Sequence, residues 1–191
     1  LARRALGAPS PPIRGTKIER TTLGGVPVEW TRAPRAKDVD PHQRVVLYLH
    51  GGGFVIGSCG THRNLASRLS QVLSTPVASV DYRMVPNGSI QTCQRDAVDA
   101  YRGLLDEGIA PEAVIVAGDS AGGNLAAHVV LTAAEQGLPK PAALIMLSPW
   151  ADLGPGGESR TTNVRTESFI GGKVLDRIAR SLVPDESERL D

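Results

Sequence analysis

Val114-Ile115-Val116-Ala117-Gly118-Asp119-Ser120-Ala121-Gly122-Gly123-Asn124 is the stretch that decides the fold. An apolar run rich in β-branched residues ends in a glycine-flanked serine, and small, helix-compatible residues follow. That is the pattern of a strand turning sharply into a helix, with Ser120 at the corner. Glycines two residues before and after the serine remove side chains that would collide across a tight turn, so the central residue can be held at an unfavourable positive φ. The new helix aims free N–H groups and its positive dipole end at any negative charge forming beside Ser120. The competing reading is a serine that merely caps the helix. Asp119 takes a bland reading, an acid that is favourable near a helix start.

Working outward, Arg44 to His50 is an almost continuous apolar run, as expected for a strand covered on both faces, and it feeds directly into Gly51-Gly52-Gly53. Pro76 to Val80 and Ala142 to Leu147 read as further buried strands. Thr61 to Ser74, with Leu65, Leu69 and Leu73 on one side, Gln91 to Leu105 and Ser120 to Gln136 read as helices. Lys17 to Leu23 and Val26 to Arg32 flank Gly24-Gly25 and predict an antiparallel hairpin at a sheet edge, where Pro27 fits best. Strands alternating with helices predict an α/β domain with a mostly parallel sheet, whose functional residues collect at the carboxyl ends of strands. Residues 1–15, with Pro9, Pro11 and Pro12, form an irregular arm. Residues 16–153 form the core. From 154 to 191 the composition shifts, and only Phe169 to Leu182 looks helical.

The composition narrows the chemistry. With 191 residues, 41% of them hydrophobic and 21% charged, one soluble domain is the default. A net charge of +1, from 21 basic and 20 acidic side chains, supplies no electrostatic reason to expect nucleic acid or a membrane surface as partner. Cys59 and Cys93 read as ordinary thiols, with a single bridge as the alternative, and neither has zinc-site spacing. No apolar stretch approaches the ~20 residues that span a bilayer, and Leu1-Ala2-Arg3-Arg4 does not open a signal peptide. A cytoplasmic location and a homodimer are the accompanying expectations. The chain starts at Leu1 rather than Met, which leaves a missing native N-terminus open.

Three successive glycines permit a backbone that turns N–H groups inward, so Gly51, Gly52 and Gly53 are candidate donors to an oxyanion, joined by the Ala121 N–H. A phosphate loop is the main competitor and fails, because no Gly-Lys-Ser/Thr follows and no GxGxxG opens a helix. His50 is best read as a structural histidine of the loop. His128 lies eight residues past Ser120, roughly 12 Å along a helix, too far to serve as its base.

These residues resemble the hormone-sensitive-lipase-like family of α/β-hydrolases, esterases with an HGGGF loop and a GDSAGG elbow. Here the motifs read His50 to Phe54 and Gly118 to Gly123, with Asp81-Tyr82-Arg83 and Pro86 like the family's DYR-x-x-P segment and Ser148-Pro149-Trp150 with Asp152 like a later one. The resemblance runs from about Thr16 to Leu182. It implies an α/β-hydrolase fold and a carboxylic-ester hydrolase with Ser120 as nucleophile and Gly52, Gly53 and Ala121 as oxyanion donors. Gly51 would shape the loop, and Asp81, Tyr82 and Arg83 would brace it. It also implies a small-molecule ester as substrate, no metal or cofactor, and a lid drawn from the arm and from Gly154 to Leu182. Asn87-Gly88-Ser89-Ile90 departs from the family wording.

The triad departs further. The family order is serine, acid, histidine, yet the histidines are His42, His50, His62 and His128, and none follows His128. Asp152, Asp176, Asp185 and Asp191 follow the serine without the family's acid motif. The last strands of the sheet are also missing, which leaves Ala142 to Leu147 as an exposed edge. An N-terminal portion of a longer esterase accounts for all three absences. The alternatives are a non-catalytic small-molecule-binding protein on the same fold and an inactive fragment.

Overall fold

The computed structural model describes residues 8–154, 157–168 and 170–184. Two units divide the chain, Leu1–Pro149 and Trp150–Asp191. The first holds strands β1 (Lys17–Leu23), β2 (Val26–Arg32), β3 (Val45–Leu49), β4 (Val77–Val80), β5 (Val114–Asp119) and β6 (Ala143–Leu147), with helices α1 (Cys59–Leu73), α2 (Ile90–Asp106) and α3 (Ala121–Glu135). They build one six-stranded sheet in the order β1-β2-β4-β3-β5-β6. β1 with β2 and β2 with β4 are antiparallel, and the remaining pairs are parallel. This is the α/β-hydrolase type of sheet that the motifs imply.

The continuous apolar run of β3 is explained by its place in the sheet. It lies between β4 and β5, and all five of its residues are 0% exposed. Leu65, Leu69 and Leu73 of α1 pack, partly buried, against a cluster of Val46, Tyr48, Ala66, Val77 and Ala117. Alpha-1 also buries Ser67 and Ser70, which the four-residue leucine spacing does not reveal. Their hydroxyls accept the backbone N–H of Ile13 and Ala33 at 3.0 Å each, which fastens the described part of the N-terminal arm and the end of β2 to the helix. A small hydroxyl is buried here because it has a partner.

The hairpin is at a sheet edge, with β1 outermost, but β2 is an interior strand. Pro27 nevertheless sits where its missing N–H does no harm, because the ladder to β4 begins at Val28, and the Pro27 carbonyl accepts from Asp81 at 2.9 Å. Both cysteines are free and buried. The second unit carries a short helix α4 (Ser159–Thr162), not expected from the sequence, and α5 (Gly172–Leu182). Phe169, where a helix was expected to begin, lies outside the described residues, as do residues 1–7 of the arm. No helix among the described residues is long and apolar enough to cross a membrane.

Candidate active site

The chain leaves β3 toward β4 on one side and later adds β5 on the other, so the strand order reverses between β3 and β5. Crevices beyond the carboxyl ends of strands at such a point are where ligands bind in open α/β sheets. Leu49 stands opposite Gly118 in the ladder. The glycine loop after β3 and the turn after β5 are therefore neighbours although 68 residues separate Gly51 from Asp119.

Ser120 has φ 51° and ψ −119°, a strained conformation between the end of β5 and the first residue of α3. Close packing demands the flanking glycines: a Cβ at Gly118 would stand 2.1 Å from the Gly122 carbonyl oxygen, and one at Gly122 would stand 2.0 Å from that of Leu49. The Ser120 N–H donates to the Leu147 carbonyl at 3.0 Å, which ties the corner to β6. The side chain makes no capping bond to α3, so the reading of Ser120 as a plain helix cap does not hold. Ala121 opens the helix, and its N–H is one of the four that have no partner four residues back.

The other half is the loop from Gly51 to Gly57. Gly52 (φ 126°), Gly53 (φ 62°) and Gly57 (φ 111°) take conformations that disfavour side chains, and Phe54 (φ 63°) anchors the loop as a fully buried ring. The N–H groups of Val55 and Ile56 both donate to the Gly52 carbonyl, at 3.2 and 3.0 Å. Sequence made all three of Gly51, Gly52 and Gly53 candidate oxyanion donors, but the Gly51 N–H is already engaged, donating to Asp119 Oδ1 at 2.9 Å. Among the described residues, the Gly52 and Gly53 N–H groups have no such acceptor.

Asp119 does more than sit near a helix start. Its Oδ1 also accepts from the Tyr48 hydroxyl, and its Oδ2 lies 3.7 Å from His62 Nε2. Burial pushes the Asp119 carboxyl up, but the nearby His62 and the Tyr48 hydroxyl, helped by the Gly51 N–H, outweigh burial and hold it below the usual range. Burial, with Asp119 alongside, pushes the Tyr48 phenol well above its ordinary value, so it stays a donor. A tyrosine in the middle of an otherwise apolar strand was the one sequence signal for this network, since a buried phenol needs a partner.

His50 is 1% exposed, and burial depresses its pKa to about 4, so it is neutral at pH 7. Its Nδ1 lies 2.8 Å from the Gly51 carbonyl, and its ring stacks on Tyr82 at 4.4 Å. The Tyr82 hydroxyl donates to the His50 carbonyl at 2.7 Å, and Arg83 pairs with buried Asp96 at 2.6 Å. Asp81 Oδ1 accepts the Cys59 N–H at the start of α1, 3.3 Å away. His128 lies on an unbroken α3 with its Nε2 3.2 Å from Thr132 Oγ1, and His42 bonds Asp40. Asp185 and Asp191 lie outside the described residues. A cavity of about 400 Å³ lined by Arg20, Glu29, Cys59, Arg63 and Asp81 includes neither Ser120 nor the glycine loop.

Comparison with known proteins places the chain in a family. A family model described as alpha/beta hydrolase fold matches residues 46–191. An acetyl-hydrolase of Streptomyces hygroscopicus is 39% identical over 158 residues, covering 83% of this chain and 51% of that protein. The esterase LipU of Mycobacterium tuberculosis is 34% identical over 187 residues, covering 94% and 63%. A crystal structure of an esterase from the bacterial hormone-sensitive lipase family superposes with a TM-score of 0.86 at 38% identity, covering 93% of this chain and 58% of that one. A crystal structure of EstE5 does so with a TM-score of 0.88 at 34% identity, covering 96% and 61%. The chain spans about half the length of the first curated relatives it matches. Matched by this family model over most of its length and by relatives and solved structures at these identities, the chain belongs to the α/β-hydrolase fold family, among the hormone-sensitive-lipase-like members.

Proposed function

We propose that this protein is a carboxylic-ester hydrolase that works through an acyl-enzyme on Ser120. The observation that carries the reading is the strained Ser120 corner set beside a glycine loop with uncommitted N–H groups. Ser120 Oγ attacks the ester carbonyl carbon and the carbonyl π pair moves to oxygen. The Gly52, Gly53 and Ala121 N–H groups stabilise that oxyanion, and Gly51 keeps the loop in shape through Asp119. Collapse expels the alcohol, which takes the proton first removed from Ser120. Water then repeats the attack on the acyl-enzyme and releases the acid. Removing one donor of such a hole typically costs about 10²–10³ in rate.

Neither His128 nor His50 suits the role of base, and we propose that the base and its acid lie beyond Asp191. The substrate proposed is a small ester with a short to medium acyl chain. In the full-length gene product, short-chain p-nitrophenyl esters should be hydrolysed, and Ser120→Ala should lower kcat by about 10⁴-fold or more. No turnover by the parent, or an unchanged rate in the variant, sinks the proposal. The absence of any histidine after His128 keeps a second reading in play, a binding protein on the same fold. A reading frame beyond Asp191 that lacks both an acid motif and a histidine would favour it.

A further inference from the structure

His62 is a residue to which the sequence assigns nothing, yet it lies at the junction of three elements. It projects from the first turn of α1. Its Nδ1 lies 2.8 Å from Thr61 Oγ1 and 3.4 Å from the Ser58 carbonyl. The Thr61 hydroxyl itself donates to that carbonyl at 2.9 Å. The ring stacks on His50 with centroids 5.2 Å apart and planes 24° apart, and it lies 6.4 Å from the Tyr48 ring. His50 in turn stacks on Tyr82, so three rings are layered behind the glycine loop. Nε2 then faces Asp119 Oδ2 at 3.7 Å.

The two oxygens of Asp119 have different tasks. Oδ1 receives the Tyr48 hydroxyl and the Gly51 N–H, while Oδ2 faces His62. Without His62, Oδ2 loses the imidazole that faces it, and the carboxylate plane is freer to turn about its Cβ–Cγ bond, which would lengthen the Gly51 N–H bond to Oδ1. Gly51 admits no substitute contact, since a Cβ there would stand 2.2 Å from Asp119 Oδ2. Gly52 follows at φ 126°, so an error in Gly51 is transmitted to the amides beyond it.

We propose that His62 is a positioning residue for the oxyanion loop, holding the Asp119 carboxylate in the orientation that fixes Gly51 and thereby aims the Gly52 and Gly53 N–H groups. This rests on the ester-hydrolase reading only for its kinetic consequence. Misplacing catalytic groups by about 1 Å costs up to ~10²-fold. His62→Ala should therefore lower kcat on p-nitrophenyl acetate by about tenfold or more with KM little changed, and His62→Gln, which keeps a donor near the Nε2 position, should restore most of the rate. In an Asp119→Asn background, His62→Ala should cost almost nothing more, because the coupled partner is gone.

Amide hydrogen exchange read by NMR separates this from the activity itself. In His62→Ala the Gly51 amide should exchange about tenfold faster while the Ser120 amide, bonded to Leu147, is unchanged. If the parent hydrolyses no ester, the ester-hydrolase reading fails and the Gly51 amide still decides the role of His62. An unchanged Gly51 amide in a folded His62→Ala protein, or a Gly51 amide that exchanges as fast in His62→Gln as in His62→Ala, overturns the proposal, as would equal losses in the single- and double-variant backgrounds.

Discussion

The sheet has two edges, and they are built on opposite principles. Beta-1 exposes Lys17, Glu19 and Arg20, and its partner strand β2 is locked to α1 by a bidentate pair, Arg63 Nε and Nη2 on Glu29 at 2.6 Å each. Charged side chains on an outer strand discourage pairing with another molecule. Beta-6 is Ala143-Leu144-Ile145-Met146-Leu147, pairs only with β5 among the described residues, and leaves Met146 44% and Leu147 37% exposed. Like β3, whose residues are wholly buried, it is a short run of apolar side chains. An apolar run therefore specifies a strand but not its neighbours.

The largest test breaks the closed edge. Glu29 is 2% exposed, and Arg63→Met would leave its carboxylate buried beside only the exposed Arg20, which should lower unfolding free energy by about 3 kcal/mol in urea melts at pH 7. Burial alone would push the Glu29 carboxyl up, but Arg63 and Arg20 outweigh it and hold it below its ordinary 4.5. A depressed carboxylate contributes stability in full above that ordinary value and loses it as pH falls through the folded pKa. The difference between parent and variant should accordingly shrink below about pH 4. A constant difference from pH 7 to pH 3 would mean that packing of the arginine stem, not charge, sets the penalty.

A smaller effect should come from reversing the character of the open edge. Met146→Lys should raise the concentration at which the protein precipitates while changing unfolding free energy by no more than about 0.5 kcal/mol, as is usual for exposed positions. Glu19→Val on β1 should do the opposite to solubility. If neither moves it, edge pairing is not what limits the protein in solution.

The smallest effect lies away from both edges. Asp40 is held below its ordinary value by the His42 N–H and then by its ring, and His42 is raised by Asp40 and by the Glu107 carbonyl. The His42 contribution is present below pH 6.5 and lost as pH rises through its folded pKa; that of Asp40 is present above 3.8 and lost as pH falls. Both side chains are exposed, so His42→Ala should shift thermal midpoints only slightly, and only between these limits.

Much of the fold was legible because it is written in local pattern. The hairpin at Gly24-Gly25, the alternation of apolar runs with helical spacing, and the glycine-serine corner are consequences of side-chain size and periodicity over a few residues. The role of Asp119 was not legible, since a carboxylate at a helix start looks the same whether or not a glycine loop 68 residues away donates to it. Nor were Ser67 and Ser70, whose burial depends on backbone groups of the arm and of the end of β2.

The sequence by itself determined that a strand ends at a serine able to take a positive φ, and that a second strand ends in glycines free to turn their N–H groups. Only the tertiary structure decided that these two ends lie side by side, which N–H each glycine keeps available, and that His62 stands over the acid between them. Backbone conformation is dictated by neighbours in the chain, whereas hydrogen-bond partners and charges act through space, and the sheet order alone brings them within reach.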